Sequence, residues 1–187
     1  VWKGTKAMVK NDGTETNDKR FWDTFAGEMG EEVLQLRPVF DGFYANEFHG
    51  AKAACGENPL ARRAIDGLKA KGYDVILATN PIFPLVGVET RLSWVGLRPE
   101  DFSYITAYEN STTCKPNPAY YAEILRKTGK RPQECLMVGN DATEDTAALE
   151  QGIGVYLVTD CLLNPKGRDI SGVPQGTFAA FLEFAGV

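Results

Sequence analysis

The sequence predicts an α/β fold, a parallel sheet with helices on both faces, preceded by a helical N-terminal segment. Three observations predict it. After residue 57, short β-branched apolar runs alternate with amphipathic stretches of helical length. Before residue 57, apolar residues recur at helical spacing with almost no strand signal. Small polar or charged residues follow each apolar run, and ligands in such sheets sit beyond the carboxyl ends of the strands. At 187 residues and 43% hydrophobic composition, the chain can fill a core, which excludes disorder as its main state.

The elements follow in order. In "TETNDKRFWDTFAGEMG", Asn17 is the expected helix cap, and Phe21, Trp22, Phe25 and Met29 form a helix-packing face. "EEVLQLRPVFDGFYANEFHGAKAA" reads as two helical pieces broken near Pro38 and Gly42. "NPLARRAIDGLKAKG" has Asn58 as cap, Pro59 at the first helical position and Gly72 as stop. "YDVILAT", "SYITAY", "ECLMVG" and "GVYLVT" read as strands. "LVGVETRLSWVG", "PAYYAEILRKTG", "ATEDTAALEQG" and "TFAAFLEFAG" read as helices.

Composition removes several function classes. The formal charge is −5 and the pI about 5.0, which argues against nucleic acid or an acidic membrane surface as the main partner. No apolar run approaches the roughly 20 residues of a membrane span. Cys55, Cys114, Cys135 and Cys161 are widely spaced, which predicts reduced thiols in a cytoplasmic protein. A single His makes a structural zinc site a poor expectation. The N-terminal "VWKGTKAMVK" has neither an initiator Met nor an apolar signal region, so a fragment of a longer chain is expected.

The groups at the strand ends suggest a chemistry. Thr79 offers a hydroxyl, and Asn80 a backbone N–H and an amide, a combination that holds a phosphate oxygen; a plain turn before Pro81 is the alternative. Lys115 lies in "CKPNP", where Pro116 and Pro118 stiffen the chain around a point charge suited to a transferring phosphoryl group; otherwise it is a solvated lysine. In "VGNDATED", Asn140 or Asp141 could cap a helix, but Asp141, Glu144 and Asp145 are more acids than a cap needs. Crowded carboxylates call for something positive between them, and Mg²⁺ takes one or two carboxylates together with phosphate and water.

"VILATN" at Thr79, "KPNPAYY" at Lys115 and "LMVGNDATED" together resemble the second, third and fourth motifs of the haloacid dehalogenase-like hydrolase superfamily. The resemblance covers residues 57–160 best. It implies a Rossmann-like core over residues 57–187 and an α-helical cap over residues 1–56. It also implies a Mg²⁺-dependent phosphatase acting on a small phosphorylated metabolite through an aspartyl-phosphate. Thr79 and Asn80 would then bind phosphate, with Thr79 and Lys115 in the catalytic set. Asp141 and Asp145 would hold the metal, with Asn140 as a weaker neutral ligand, and the cap residues His49, Lys52 and the aromatics of 21–44 would face the substrate.

Two departures stand out. The residue after Gly139 is Asn140 where the family commonly has Asp, so either Asp141 takes over the metal contact, the favoured reading, or Asn140 contributes a weaker, neutral oxygen. The first motif, an Asp-x-Asp carrying the nucleophile and the acid/base group, is missing. "KNDGT" at residues 10–14 imitates its tail but has Lys10 in the nucleophile's place, and "TKAMV" before it is too short and mixed for a central strand. Asp12-Gly13-Thr14 is therefore expected to be an ordinary turn between helices. A core lacking the first-motif strand predicts a gap or a compensating pairing in the sheet. A non-catalytic binding domain, or a metal-free haloacid dehalogenase-type hydrolase, remains as an alternative.

Overall fold

The computed structural model describes residues 1–56 and 58–187. The boundary expected between cap and core falls on Glu57, outside the described residues. The chain divides into two compact units, Val1–Cys114 and Lys115–Val187.

The first unit opens with α1 (Trp2–Val9) and α2 (Asn17–Met29), which pack on each other. Gly4 permits this approach, because a methyl there would lie 2.7 Å from the Phe21 ring. Met8, Phe21, Trp22, Tyr108 and Cys114 are buried together, with Phe25, Phe40 and Ile82 packed against them. Met29 was expected on this face but is 62% exposed, because α2 ends there and Gly30 turns the chain away at φ 100°. Residues 11–16 join the two helices as a turn, in which Asp12 Oδ1 accepts from the Thr14 N–H and hydroxyl.

The next stretch is helical throughout: a 3-10 helix over Glu31–Leu36, α3 (Arg37–Ala45) and a 3-10 helix over Glu47–Ala54. The breaks lie at Leu36 and Asn46 rather than at Pro38 and Gly42. Pro38 occupies the first turn of α3, where its missing N–H is no loss. α4 (Leu60–Ala70) follows, with Asn58 Oδ1 accepting from the Leu60 N–H and Gly72 leaving at φ 82°. β1 (Ile76–Leu77), α5 (Leu85–Trp94) and β2 (Tyr104–Ile105) complete the unit, and β1 pairs with β2 in parallel.

The second unit holds α6 (Pro118–Thr128), β3 (Leu136–Gly139), β4 (Gly154–Val158), β5 (Gln175–Gly176) and α7 (Phe178–Ala185). Its sheet has the order β3-β4-β5, all parallel. β4, paired on both edges, is buried from Val155 to Val158, whereas β3, paired on one, is half-buried at best. The helix expected over "ATEDTAALEQG" is instead a turn at 141–145 followed by a 3-10 helix over Thr146–Gln151.

Candidate active site

In the first unit, Thr79 and Asn80 lie directly after β1, both half-buried. The Thr79 carbonyl accepts from Thr106 Oγ1 at 2.7 Å, and the Asn80 carbonyl accepts from the Ile82 N–H at 2.8 Å, closing a turn. Thr106 is fully buried, and its N–H also donates to the Leu77 carbonyl, so one residue after β2 pins the end of β1. Further along, Phe83 accepts from the Tyr108 N–H, and both Glu109 carboxylate oxygens accept from the Leu85 N–H that begins α5, each at 3.0 Å. Burial pushes the Tyr108 hydroxyl up to about 12.

His49 Nδ1 accepts from Trp94 Nε1 at 3.3 Å, beside a cluster of Tyr44, Phe48, Phe83 and Trp94, while Lys52 is exposed.

In the second unit, Lys115, Asn140, Asp141 and Asp145 come together. Lys115 is 6% exposed, and its Nζ lies 2.7 Å from Asp145 Oδ1. The ammonium also stands 5.8 Å from the Tyr120 ring centroid and 5.9 Å from that of Tyr121. Asp145 Oδ2 accepts from the Asp141 N–H at 2.9 Å, so both oxygens of this buried carboxylate are committed. Gly139 makes room for it, since any Cβ there would overlap the Asp145 carboxylate. Asp141 Oδ1 accepts from the Thr143 and Glu144 N–H groups, closing a turn rather than capping the helix that begins at Thr146. Asn140 Nδ2 donates to the Cys161 carbonyl, and Tyr121 Oη donates to the Glu144 carbonyl. The Tyr121 hydroxyl is raised above its ordinary range, first by burial and then by the Asp145 charge.

The positive group beside the acids is therefore the Lys115 ammonium. Among the described residues, no three or more His, Cys, Asp or Glu side chains are grouped to hold a metal ion. The donor set can still be compared with Mg²⁺ chemistry. Asp145 is taken up by Lys115 and by backbone. Asp141 Oδ2 and the Asn140 amide oxygen carry no hydrogen bond among those described, and such hard oxygens suit Mg²⁺, which keeps most of its waters.

Thr79 and Asn80 belong to one unit and the other four residues to the second. The sequence reading missed the Tyr120–Tyr121 pair around Lys115, although "KPNPAYY" displays it. It also missed Asn17, whose only sequence signal was its resemblance to a cap.

The family model of haloacid dehalogenase-like hydrolases matches residues 7–152. The chain is 25% identical over 131 residues to a bifunctional riboflavin kinase/FMN phosphatase from Arabidopsis thaliana, which covers 70% of this chain and 33% of that protein. The chain thus spans about a third of the curated relative that it matches. Among solved structures, it is similar to a predicted phosphoglycolate phosphatase from Haemophilus somnus 129PT, with TM-score 0.61 and 21% identity over 97% of this chain and 81% of that one. It is also similar to a mutant of CbbY from Rhodobacter sphaeroides in complex with xylulose-(1,5)bisphosphate, with TM-score 0.55 and 17% identity over 94% of this chain and 77% of that one.

Proposed function

Because this chain belongs to the haloacid dehalogenase-like hydrolases, we propose that it forms part of a phosphatase-like hydrolase acting on a small phosphorylated metabolite. The observation that carries this reading is the buried Lys115–Asp145 pair at the end of β3, beside Asp141. Burying two charges is costly, and a hydrophobic pair would usually serve stability as well. A charge kept in reserve suits a site that receives an anion.

In this reading, residues 1–56 are cap and residues 57–187 core. Thr79 and the Asn80 backbone hold phosphate oxygens. Lys115 offsets the negative charge of the phosphoryl group, with Asp145 as its counter-ion at rest. Asp141, helped by Asn140, holds Mg²⁺, on which this family typically depends. When bound, the metal would neutralise phosphate charge. The names of the FMN phosphatase relative and of the bisphosphate complex support a phosphorylated small molecule as substrate. The chain contains no Asp-x-Asp, so we place the nucleophile outside these 187 residues. Among the described residues, no helix is long and apolar enough to cross a membrane.

The test is direct. The purified chain with Mg²⁺ should bind orthophosphate, orthophosphate should protect Lys115 from amine acylation, and p-nitrophenyl phosphate should not be turned over. Absence of protection would overturn the phosphate site. Mg²⁺-dependent turnover abolished by Asp141→Ala would show that a nucleophile lies within the chain.

A further inference from the structure

Asn17 is fully buried and takes no part in the reading above. It stands at the first residue of α2, yet the cap is Thr16, whose Oγ1 accepts from the Lys19 N–H. The helix therefore does not need the Asn17 amide, and the amide is spent on distant chain. Nδ2 donates to the Pro81 carbonyl at 3.1 Å, to the Thr113 carbonyl at 3.4 Å and to Cys114 Sγ at 3.3 Å. Oδ1 accepts from Nδ2 of Asn11, itself 4% exposed, at 2.9 Å. The backbone joins in, as Asn17 N–H donates to the Ser111 carbonyl and Asp18 N–H to the Tyr108 carbonyl.

These acceptors lie on two loops. Pro81 ends the Thr79–Asn80 turn after β1, and residues 108–114 follow β2. Because β1 and β2 are parallel, both loops leave the same edge of the sheet. Thr106 already pins the turn from the β2 side through the Thr79 carbonyl. Asn17 pins it one residue past Asn80, through the Pro81 carbonyl. We propose that Asn17 is a positioning residue that fixes the Thr79–Pro81 turn and residues 111–114 in one arrangement, oriented in turn by Asn11. The functional part of this inference rests on the phosphate role proposed for Thr79 and Asn80; the coupling of Asn17 to the two loops does not.

An apolar residue of the same size could fill the space but would leave the Pro81 and Thr113 carbonyls without this donor. The turn would relax, carrying the Thr79 hydroxyl and the Asn80 N–H with it. A shift of about 1 Å in a positioned group is enough to change function on the order of a hundredfold.

The experiment compares the unaltered chain with Asn17→Leu, which lacks the donor, and with Asn11→Ser. The latter keeps the Asn17 donor but removes the bond that orients the amide, together with the Asn11 side-chain bonds to the Glu15 carbonyl and the Gly13 N–H. Amide hydrogen exchange is read residue by residue, and orthophosphate affinity by calorimetry. Exchange at Ile82, Thr113 and Cys114 is expected to rise at least tenfold, with β4 amides unchanged, and orthophosphate Kd to rise at least tenfold. A merely structural role would raise exchange uniformly, and that result, or no change in the two loops, overturns the proposal. A selective rise in exchange with unchanged orthophosphate affinity overturns the positioning role. Should Asn17→Leu fail to fold, Asn11→Ser is judged by the same criteria, with a smaller selective rise expected. If the unaltered chain binds no orthophosphate, the proposed function falls, and the exchange pattern alone decides whether Asn17 sets these loops.

Discussion

Asn17 in the first unit and the Lys115–Asp145 pair in the second are both buried, and both tie together segments far apart in sequence, but one is neutral and the other ionic. Asn17 bonds mainly to backbone carbonyls, partners that cannot move away without moving the chain. Lys115 and Asp145 bond to each other through side chains, and each can exchange its partner for an arriving ion. The neutral anchor thus suits a fixed scaffold, and the ionic one a site that responds to a ligand. Their energetics differ accordingly. Losing a donor to a buried carbonyl costs about 1–3 kcal/mol, whereas stripping one charge from a buried pair costs about 3–5 kcal/mol.

The largest effect should come from Asp145→Ala, which leaves Lys115 buried without its counter-ion. A loss of about 3–5 kcal/mol in urea unfolding is expected, and the double variant Lys115→Met with Asp145→Leu should recover most of it. A loss under about 1 kcal/mol would mean that the pair behaves like a surface ion pair and would erase the contrast with Asn17.

Gly139→Ala comes next. The added methyl collides with the Asp145 carboxylate and drives it off Lys115, at an expected cost of roughly 1–3 kcal/mol. The cycle with Asp145→Ala sharpens the point. In that background the methyl meets no carboxylate, so Gly139→Ala should cost much less there, a coupling well above the error of additive sites. Asn17→Leu should cost about 1–2 kcal/mol by denaturant unfolding, less than either, since no charge is stranded.

Much of this contrast was hidden in the sequence. Periodicity correctly marked the helices at 60–70, 85–94, 118–128 and 178–185, because apolar spacing and Gly stops reflect local geometry. Strand lengths were overread. "YDVILAT" read as a short strand, and β1 is shorter still at two residues, paired along one edge only among the described residues. β5 escaped notice because Gln175–Gly176 has no alternation; its place is set by backbone bonds to β4 and by Tyr156, whose hydroxyl leaves room only for Gly176. In "VGNDATED" the acids were legible and their partner was not. Lys115 lies 30 residues away and captures Asp145, and the stretch expected to be helical begins as an Asp141-capped turn instead. Thr16 and Asn17 are both good caps, so local propensity could not show that the first would cap and the second would turn inward.

The smallest effects concern pH, and they belong to the rim of the first unit because Asn17 has no proton to titrate. Glu109 is exposed as a residue, but partial desolvation of its carboxylate raises it above its ordinary 4.5, against the lowering effect of the Leu85 N–H and with further help from Asp18 and Asp41. The folded protein therefore holds this proton more tightly than the unfolded chain. The associated stability is fully present below pH 4.5 and is lost as pH rises through the folded value. Asp101 behaves oppositely. The Arg62 guanidinium, 2.6 Å away, holds it down to about 2 from 3.8. Its contribution is present above pH 3.8 and is lost as pH falls through about 2. For a partly exposed pair, that contribution is at most about 1 kcal/mol. Melting curves from pH 2 to 7 separate the two: Glu109→Gln should flatten the decline above pH 4.5, and Asp101→Asn the loss between 3.8 and 2. If Glu109→Gln instead steepened that decline, the carboxylate would be stabilising α5 as an ionised cap, and the Leu85 N–H rather than desolvation would govern its charge.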